Sequence, residues 1–235
     1  MAFPAWAAEV VSSNIVGYEK VNLVNSTYKM GGVQFVSVGG TAGSLNDLFG
    51  GNIEYGTEIM FLDESTGAYL TYKYLEEAYD EANDDFLPGW GDGDEYYVEA
   101  PVLPGTGFWY CPHADGSVIQ AGEISSSGTV TISIPAGSYT MVSNPFPVGF
   151  NPNDATWDDG LPFGAMLMTL DASGAYVTYK YLEEAYDEAN DDFLPGWGDG
   201  DEYLVTGEIA APGEGFWVYS TVATSLTIAS PIPNN

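Results

Sequence analysis

Two dense groups of carboxylates are the residues of this chain with the clearest potential chemistry. One group lies in Asp80–Asp85, and the other lies among glycines in Gly91–Glu95. Hard divalent cations take about six to eight oxygen ligands from carboxylates, amides and carbonyls, and glycine lets the backbone fold tightly enough to add its own carbonyls. We therefore predict a calcium site formed by Asp80, Asn83, Asp84, Asp85, Asp92, Asp94 and Glu95.

Both groups occur twice, because Thr71–Tyr96 is repeated without change as Thr178–Tyr203. The second copy gives a second predicted calcium site at Asp187, Asn190, Asp191, Asp192, Asp199, Asp201 and Glu202. The spacing of these acids is not that of an EF-hand, and a solvated charged loop is the alternative interpretation. The identity of the copies indicates a shared origin; a recent gene conversion would produce it without any shared function.

Aromatic residues alternate with the acids in both copies and suggest a second kind of site. Trp90 and Trp197 follow a Leu-Pro-Gly turn sequence, and tyrosines surround them. We considered three roles for these aromatics, in order of preference: packing in the core, contact between subunits, and stacking on a sugar. The last two make Trp90 and Trp197 candidate contact or sugar-binding residues.

The sequence offers little basis for catalysis. His113, the single histidine, lies two residues after Cys111 across a proline, and residues so placed in a strand rarely meet in working geometry. No nucleophile elbow, phosphate loop or dinucleotide fingerprint is present. We therefore predict that the protein is not an enzyme. For Cys111, the single cysteine, the alternatives are a buried small hydrophobe and an intermolecular disulfide.

The charge balance limits the partners. The chain has 34 acidic residues against four lysines and no arginine, which gives a formal net charge of −30. Such a surface repels nucleic acid and anionic lipid, so both are excluded as partners. The sequence also lacks an apolar run long enough to span a membrane. Bound cations or salty surroundings would relieve the self-repulsion.

The elements that must position these residues are mainly strands. Val130–Ile134 and Ser225–Ile228 alternate apolar and polar residues, and Glu58–Tyr74 and its copy predict hairpins. Apolar residues between Leu75 and Phe86 fall at helical spacing and predict a short helix after each hairpin. The fold class is therefore all-β, with two tandem sandwich-like or barrel-like units, each carrying an acidic loop.

We place the boundaries of these parts by composition and repeat position. Residues 1–14 form a signal remnant or an extended N-terminal arm, residues 15–124 the first unit and residues 125–235 the second. The small-x-small pattern at Ala5–Ala7 is typical of a signal-peptide cleavage region and favours export. The stretch Ala8–Val24 is a candidate for pairing with a neighbour's sheet edge.

Two short motifs carry a resemblance to a known group. The strand Ser138–Phe146 ends in Asn-Pro-Phe, and Gly213–Tyr219 reads Gly-Glu-Gly-Phe-Trp-Val-Tyr. In these motifs, and in its opening at Ser13–Lys20, the chain resembles uncharacterised exported bacterial proteins built of tandem β-repeats. The first unit departs from that pattern at Met30–Phe35. The resemblance implies export and repeat architecture, and no activity.

Together these features favour a secreted, non-enzymatic structural protein located outside the cell or at its surface. We expect a self-assembling subunit of a filament, sheath or surface layer, with copies of itself as partners and calcium at the duplicated acidic loops. The alternative is a calcium-dependent carbohydrate-binding or adhesion module, with extracellular polysaccharide as the partner.

Overall fold

The computed structural model describes residues 16–125, 128–158 and 160–231, and this part of the chain is all-β apart from the four-residue helix α1 (Leu45–Leu48). The strands up to Ile124 are β1 (Val16–Leu23), β2 (Lys29–Gly32), β3 (Phe35–Val36), β4 (Gly43–Ser44), β5 (Phe49–Asn52), β6 (Glu58–Asp63), β7 (Ala68–Asp80), β8 (Asp85–Gly91), β9 (Pro101–Val102), β10 (Gly107–Cys111) and β11 (Gly116–Ile124). After Ile124 come β12 (Thr129–Ile134), β13 (Tyr139–Ser143), β14 (Thr156–Trp157), β15 (Met166–Leu170), β16 (Tyr176–Asp187), β17 (Asp192–Gly198), β18 (Gly215–Tyr219) and β19 (Thr224–Ala229).

The strands pair separately in two units, β1–β11 in the first and β12–β19 in the second. Each unit has a five-stranded sheet, called here the inner sheet, in the order β2-β10-β6-β7-β8 or β13-β18-β15-β16-β17. Each also has an outer sheet, in which β1, β3 and β5 pair with β11, or β12 and β14 pair with β19. The first unit adds the small pair β4-β9. All strand pairs are antiparallel.

Each unit is a sandwich whose core lies between its inner and outer sheets. Alternate residues of a strand point to opposite faces, so Phe108 of β10 faces the core of the first unit and packs with Val118 of the outer sheet. Phe216 and Leu226 occupy the corresponding places in the second unit. The sheets remain open, which makes the units sandwiches, one of the two architectures that the sequence predicted.

The other faces of the two inner sheets pack against each other and join the units. Met30, Met141 and Trp217 form a buried cluster there, and partly buried residues surround them: Leu62, Trp109, Met168 and Leu170. An isolated bridge between Thr106 and Val142 continues the contact. The described residues are thus arranged as outer sheet, inner sheet, inner sheet and outer sheet.

Glycines allow this close approach, and they do so symmetrically. A Cβ on Gly107 would lie 2.5 Å from the carbonyl oxygen of Val142, and a Cβ on Gly215 would lie 2.5 Å from that of Gly31. Gly107 and Gly215 begin equivalent strands, β10 and β18. The junction therefore has approximate twofold symmetry, like the interface of a homodimer.

The short helix predicted between Leu75 and Phe86 is wrong. Residues up to Asp80 continue β7, and β8 begins at Asp85. The register of this hairpin shifts between Leu75 and Ala78, which marks a β-bulge. A bulge adds a residue to one strand and interrupts the alternation, so the apolar spacing imitates a helix. The described helix α1 lies elsewhere, where Ser44 and Asp47 form a capping box.

Two further predictions concern the N-terminal residues and the ability of the chain to span a membrane. Residues 1–14, predicted as a signal remnant or arm, lie outside the described residues. Of Ala8–Val24, the candidate for pairing with a neighbour's sheet edge, residues 8–15 also lie outside the described residues, and Val16–Leu23 forms β1, which pairs with β11 of its own chain. Among the described residues, none of the helical segments has the length and apolar character needed to cross a membrane.

Candidate functional site

The duplicated acidic segment forms a projecting hairpin end in each unit. Pairing between β6 and β7 stops at Lys73, whereas β7 continues to Asp80. Tyr74 still bonds through its backbone to Gly56 and Thr57, and beyond it β7 is flanked by β8 alone until the chain returns at Tyr96, which bridges to Tyr79. We call residues 79–86 with 92–96, and their copies 186–193 with 199–203, the hairpin tips.

The first group of predicted calcium ligands builds the turn of this hairpin. Asp80 pairs with Asp85 across a four-residue loop, and its carboxylate accepts hydrogen bonds from Ala82 N (3.0 Å), Asn83 N (3.2 Å) and Asn83 Nδ2 (2.7 Å). These bonds favour the ionised form, led by the Asn83 side chain, and lower the pKa of Asp80. Asp84 takes the left-handed conformation, with φ 52°. Asp187, Asn190 and Asp191 repeat this arrangement.

The second group builds the tight turn that follows β8. Asp92 Oδ1 accepts from Asp94 N and from Tyr96 N, both at 3.0 Å. Glu95 has φ 66° and donates its N–H to the Asp92 carbonyl at 3.0 Å. Asp199, Asp201, Glu202 and Tyr203 do the same in the second unit. These carboxylates act as local turn-forming groups, in the way typical of aspartate.

The predicted ligand sets are thus divided between two turns, although a shallow hollow connects them. In the first unit this hollow, about 500 Å³, is lined by Tyr79, Asp80, Glu81, Ala82, Asp92, Tyr96, Tyr97 and Glu99. Asp85 Oδ1 accepts from the N–H of Phe86 (2.8 Å) outside it, as Asp192 does from Phe193. Within residues 16–125, 128–158 and 160–231, no three His, Cys, Asp or Glu side chains are grouped closely enough to hold a metal ion.

Three aromatic rings lie together at each tip, and two of the three are exposed. The Tyr79 ring lies 5.1 Å from Phe86 and 5.6 Å from Tyr96 between centroids, and the Tyr186 ring lies 5.1 Å from Phe193 and 5.5 Å from Tyr203. Phe86 is 60% exposed and Phe193 is 62% exposed. At the first tip Asp80, Glu81 and Asp92 line the same hollow as Tyr79 and Tyr96.

A hydrogen bond fixes the central ring of each trio. The Tyr79 hydroxyl donates to Asp84 Oδ1, and the Tyr186 hydroxyl donates to Asp191 Oδ1, both at 2.9 Å. Each bond uses the tyrosine proton, and it is the main cause that raises the pKa of both tyrosines. The sequence indicated aromatics near acids, but it did not identify Phe86 and Phe193 as the exposed ones.

The tryptophans proposed as contact or sugar-binding residues are in the cores instead. Trp90 is 0% exposed and Trp197 is 1% exposed, so neither is available to a sugar or to another subunit. The first of the three predicted roles, core packing, is the one they have. Asn46 holds the backbone of Trp90 in place. Its Oδ1 accepts from the Trp90 N–H (2.7 Å), and its Nδ2 donates to the carbonyl oxygens of Trp90 and Val98 (both 3.0 Å). Asn153 does the same for Trp197.

Asn46 and Asn153 are functional positions that the sequence pattern alone does not indicate. Apart from the aspartate that follows each of them, the flanking sequences of the two asparagines differ, although they hold equivalent tryptophans, Trp90 and Trp197. Their shared distance from the repeated segment was the available signal, because each precedes its tryptophan by 44 positions.

The cysteine–histidine pair has no catalytic arrangement. Cys111 is buried, and burial, followed by the nearby Glu58 carboxylate, raises the pKa of its thiol to about 12. His113 is exposed, and its Nε2 lies 4.0 Å from Glu58 Oε1. The thiol is therefore protonated at neutral pH and is a small buried hydrophobe, which was the first of the two predicted alternatives.

A carboxylate with an unusual environment lies where the two units meet. Glu19 of β1 faces Gly213 of the second unit, and a Cβ on Gly213 would overlap its Oε2. The Gln34 amide, oriented to satisfy both of its neighbours, donates to Glu19 Oε2 (3.2 Å) and accepts from Gly213 N–H. Burial raises the pKa of Glu19 to about 7; Lys29 opposes this shift and Glu214 adds to it.

Comparison with known proteins gives no relative for this chain. No protein-family model matches it, and no curated protein or solved structure does so either.

Proposed function

We propose that this protein is a secreted, non-enzymatic structural protein, a self-assembling subunit of an extracellular filament, sheath or surface layer. In this proposal the hairpin tips are contact surfaces between copies. The observation that carries it is the exposed aromatic trio, present in duplicate with nearly the same ring geometry.

Exposed aromatics at the end of a rigid hairpin favour a contact role. Burial of a large aromatic ring gives about 1.5–3 kcal/mol, and such rings are common anchors of protein interfaces. The tyrosine–aspartate hydrogen bond holds the central ring in place before any contact forms, so little side-chain freedom is lost on binding.

In this proposal calcium ions bind between neighbouring copies of the protein. The net charge of −30 opposes any approach of two copies, and divalent cations bound at the tips would remove that repulsion. Glu81, Asp94 and Glu95 are exposed at the first tip. A calcium ion needs about six to eight oxygens, and carboxylates from two copies would supply more of them than one tip does.

The self-assembly proposal is tested by imaging and sizing of the wild-type protein. Size-exclusion chromatography with light scattering, and negative-stain microscopy, are performed in calcium and then in chelator. We expect large assemblies in calcium that return to monomers with chelator. A single monomeric species at millimolar protein concentration in calcium would exclude the proposal.

A second candidate function, a calcium-dependent carbohydrate-binding module, is favoured by two stacked pairs of aromatic rings outside the tips. Tyr55 stacks on Tyr74 with ring centroids 5.7 Å apart, and Phe163 stacks on Tyr181 at 5.5 Å. Tyr55 and Phe163 are about half exposed, and an exposed ring face is what a sugar requires. Glycan-array binding that is lost in a Tyr55→Ser/Phe163→Ser variant, with wild-type protein monomeric in calcium, would favour this function over assembly.

A further inference from the structure

The outer sheets of the two units present very different faces to solvent. Residues directly opposite each other in an antiparallel pair share a face, and Tyr18 is opposite Ala121 while Lys20 is opposite Ile119. Tyr18 is 76% exposed, and Lys20 is exposed as well. Gly50 of β5 lies beside Ile119, and a Cβ there would meet nothing within 4 Å. We call this surface, formed by Tyr18, Lys20, Gly50, Ile119 and Ala121, the β1 face.

The equivalent face of the second unit is hydroxylic. Thr129, Thr131 and Ser133 of β12 are exposed, and the Thr131 and Thr227 hydroxyls are hydrogen-bonded at 2.9 Å. Val21 is opposite Val118 in the first unit, and Ile132 is opposite Leu226 in the second. Because Val118 and Leu226 are equivalent core residues, Val21 and Ile132 are equivalent too. This aligns Tyr18 with Thr129 and Lys20 with Thr131. The same scaffold thus carries water-compatible side chains in one unit and an aromatic ring with a cation in the other.

We infer that the β1 face receives a hairpin tip of a second copy of this chain. The inference rests on the proposed function, because it supplies the surface that the tips contact. Tyr18 and the small residues Gly50 and Ala121 offer a flat apolar area against which Phe86 or Phe193 packs. Lys20 lies within it and is opposite in charge to the exposed acids of a tip, Glu81, Asp94 and Glu95 in the first unit.

The occupant is a second copy because both halves of the contact, an exposed acidic tip with aromatic rings and a face with an exposed lysine, are present on the same molecule. One chain carries two tips and one β1 face, and a tip contacts a different surface on its partner, so the contact is heterologous; a pair joined by one such contact keeps three free tips and one free face. Heterologous contacts that do not close into a ring produce open assemblies. Attraction between Lys20 and the tip acids is partly screened in salt, so the aromatic packing supplies most of the affinity.

The inference is tested with charge-swapped variants of the full-length protein in calcium. Lys20→Glu is expected to raise the concentration needed for assembly at least about tenfold, since it replaces an attraction by a repulsion at the centre of the contact. The Glu81→Lys/Glu188→Lys variant changes both tips and is expected to be impaired in the same way. Thr131→Glu, at the equivalent position of the other unit, is the matched control and is expected to assemble like wild type.

Mixing the two variants separates a broken contact from a misfolded protein. In an equimolar mixture the swapped pair of charges is complementary again: lysine at position 81 or 188 meets glutamate at position 20, and wild-type tips meet wild-type faces. Assembly is therefore expected to return, and a misfolded variant could not produce that result. Wild-type assembly that Lys20→Glu leaves unchanged, or a mixture that stays monomeric, would overturn the β1 face as the partner surface and leave the proposed function intact. Wild-type protein that stays monomeric would overturn both.

Discussion

Replacement of Glu19 by glutamine is expected to make the protein more stable in mildly alkaline solution and to have little effect in acid. Glu19 lies between the units, where it contacts Gln34 and faces Gly213. Its aligned position in the second unit is Val130, and Gly105, the equivalent of Gly213, packs there against Val130 and Ile132. The junction therefore tolerates an uncharged side chain at this place.

The direction of this stability change follows from proton binding by Glu19. Burial raises the pKa of Glu19 from 4.5 to about 7 in the folded protein, so the folded state holds the proton more tightly than the unfolded state does. Wild-type stability accordingly falls as pH rises from about 4.5 to about 7 and gains nothing back above that range. Glutamine cannot ionise, so the variant does not lose this stability.

The size of the stability difference follows from the same two pKa values of Glu19. The difference between 4.5 and about 7 corresponds to about 3 kcal/mol, at 1.36 kcal/mol for each pH unit. Because Glu19 keeps some contact with solvent, part of the effect is screened, and we expect a gain of roughly 1–3 kcal/mol at pH 8. Below pH 4.5 the two proteins should have nearly equal stability.

The assay is urea unfolding followed by tryptophan fluorescence at several pH values between 4 and 8.5, at constant ionic strength and with chelator present. The free energy of unfolding comes from linear extrapolation, and the quantity of interest is the difference between variant and wild type. Glu64→Gln, at an exposed turn position, serves as the matched control. A Glu19→Gln difference that stays constant across the pH range would refute the assignment of this carboxylate to the junction.

Three other predictions follow from the structure, and the first two use the duplication as an internal control. Trp90→Phe should destabilise its unit by about 0.5–1 kcal/mol more than Trp197→Phe does, as measured by urea unfolding. The reason is that Trp90 Nε1 donates to Phe49 O (3.4 Å), while Trp197 Nε1 has no partner among the described residues. Equal losses of stability in the two variants would contradict this. Gly107→Ala and Gly215→Ala should each lower stability by about 2 kcal/mol, since the new Cβ meets backbone of the other unit, whereas Gly50→Ala, in open space, should not. Cys111 should resist Ellman's reagent at pH 8 in the folded protein and react promptly in urea, because its thiol has a pKa of about 12; fast reaction of the native protein would show that the thiol is accessible.

The sequence was sufficient to predict an all-β duplicated fold, because that information is local. Alternation in Val130–Ile134 and the turn residues between strands specify elements whatever their partners are. The repeated segment gave the correspondence between units directly. The helix predicted after Leu75 failed because a β-bulge has no clear local signature, and it can produce three-residue apolar spacing inside a strand.

The candidate site was predictable in its composition and not in its exposure. The acids were identified, yet nothing in their order shows that Asp80 and Asp92 would serve separate turns. Trp90 and Phe86 are four positions apart in β8 and point to the same face of the sheet, so which of them is exposed depends on how far the core of the unit extends along that strand. The packing of the two inner sheets, and with it the position of Glu19, depends on contacts between residues far apart in sequence.

The most direct test of the central claim, that the hairpin tips join copies of this protein, is sedimentation velocity of a Phe86→Ser/Phe193→Ser variant beside wild type in calcium. Phe163→Ser is the control, because Phe163 is also exposed but lies outside the tips. The tip variant is expected to sediment as a monomer at concentrations where wild type and Phe163→Ser form large assemblies. Assemblies of equal size in all three proteins would contradict the claim.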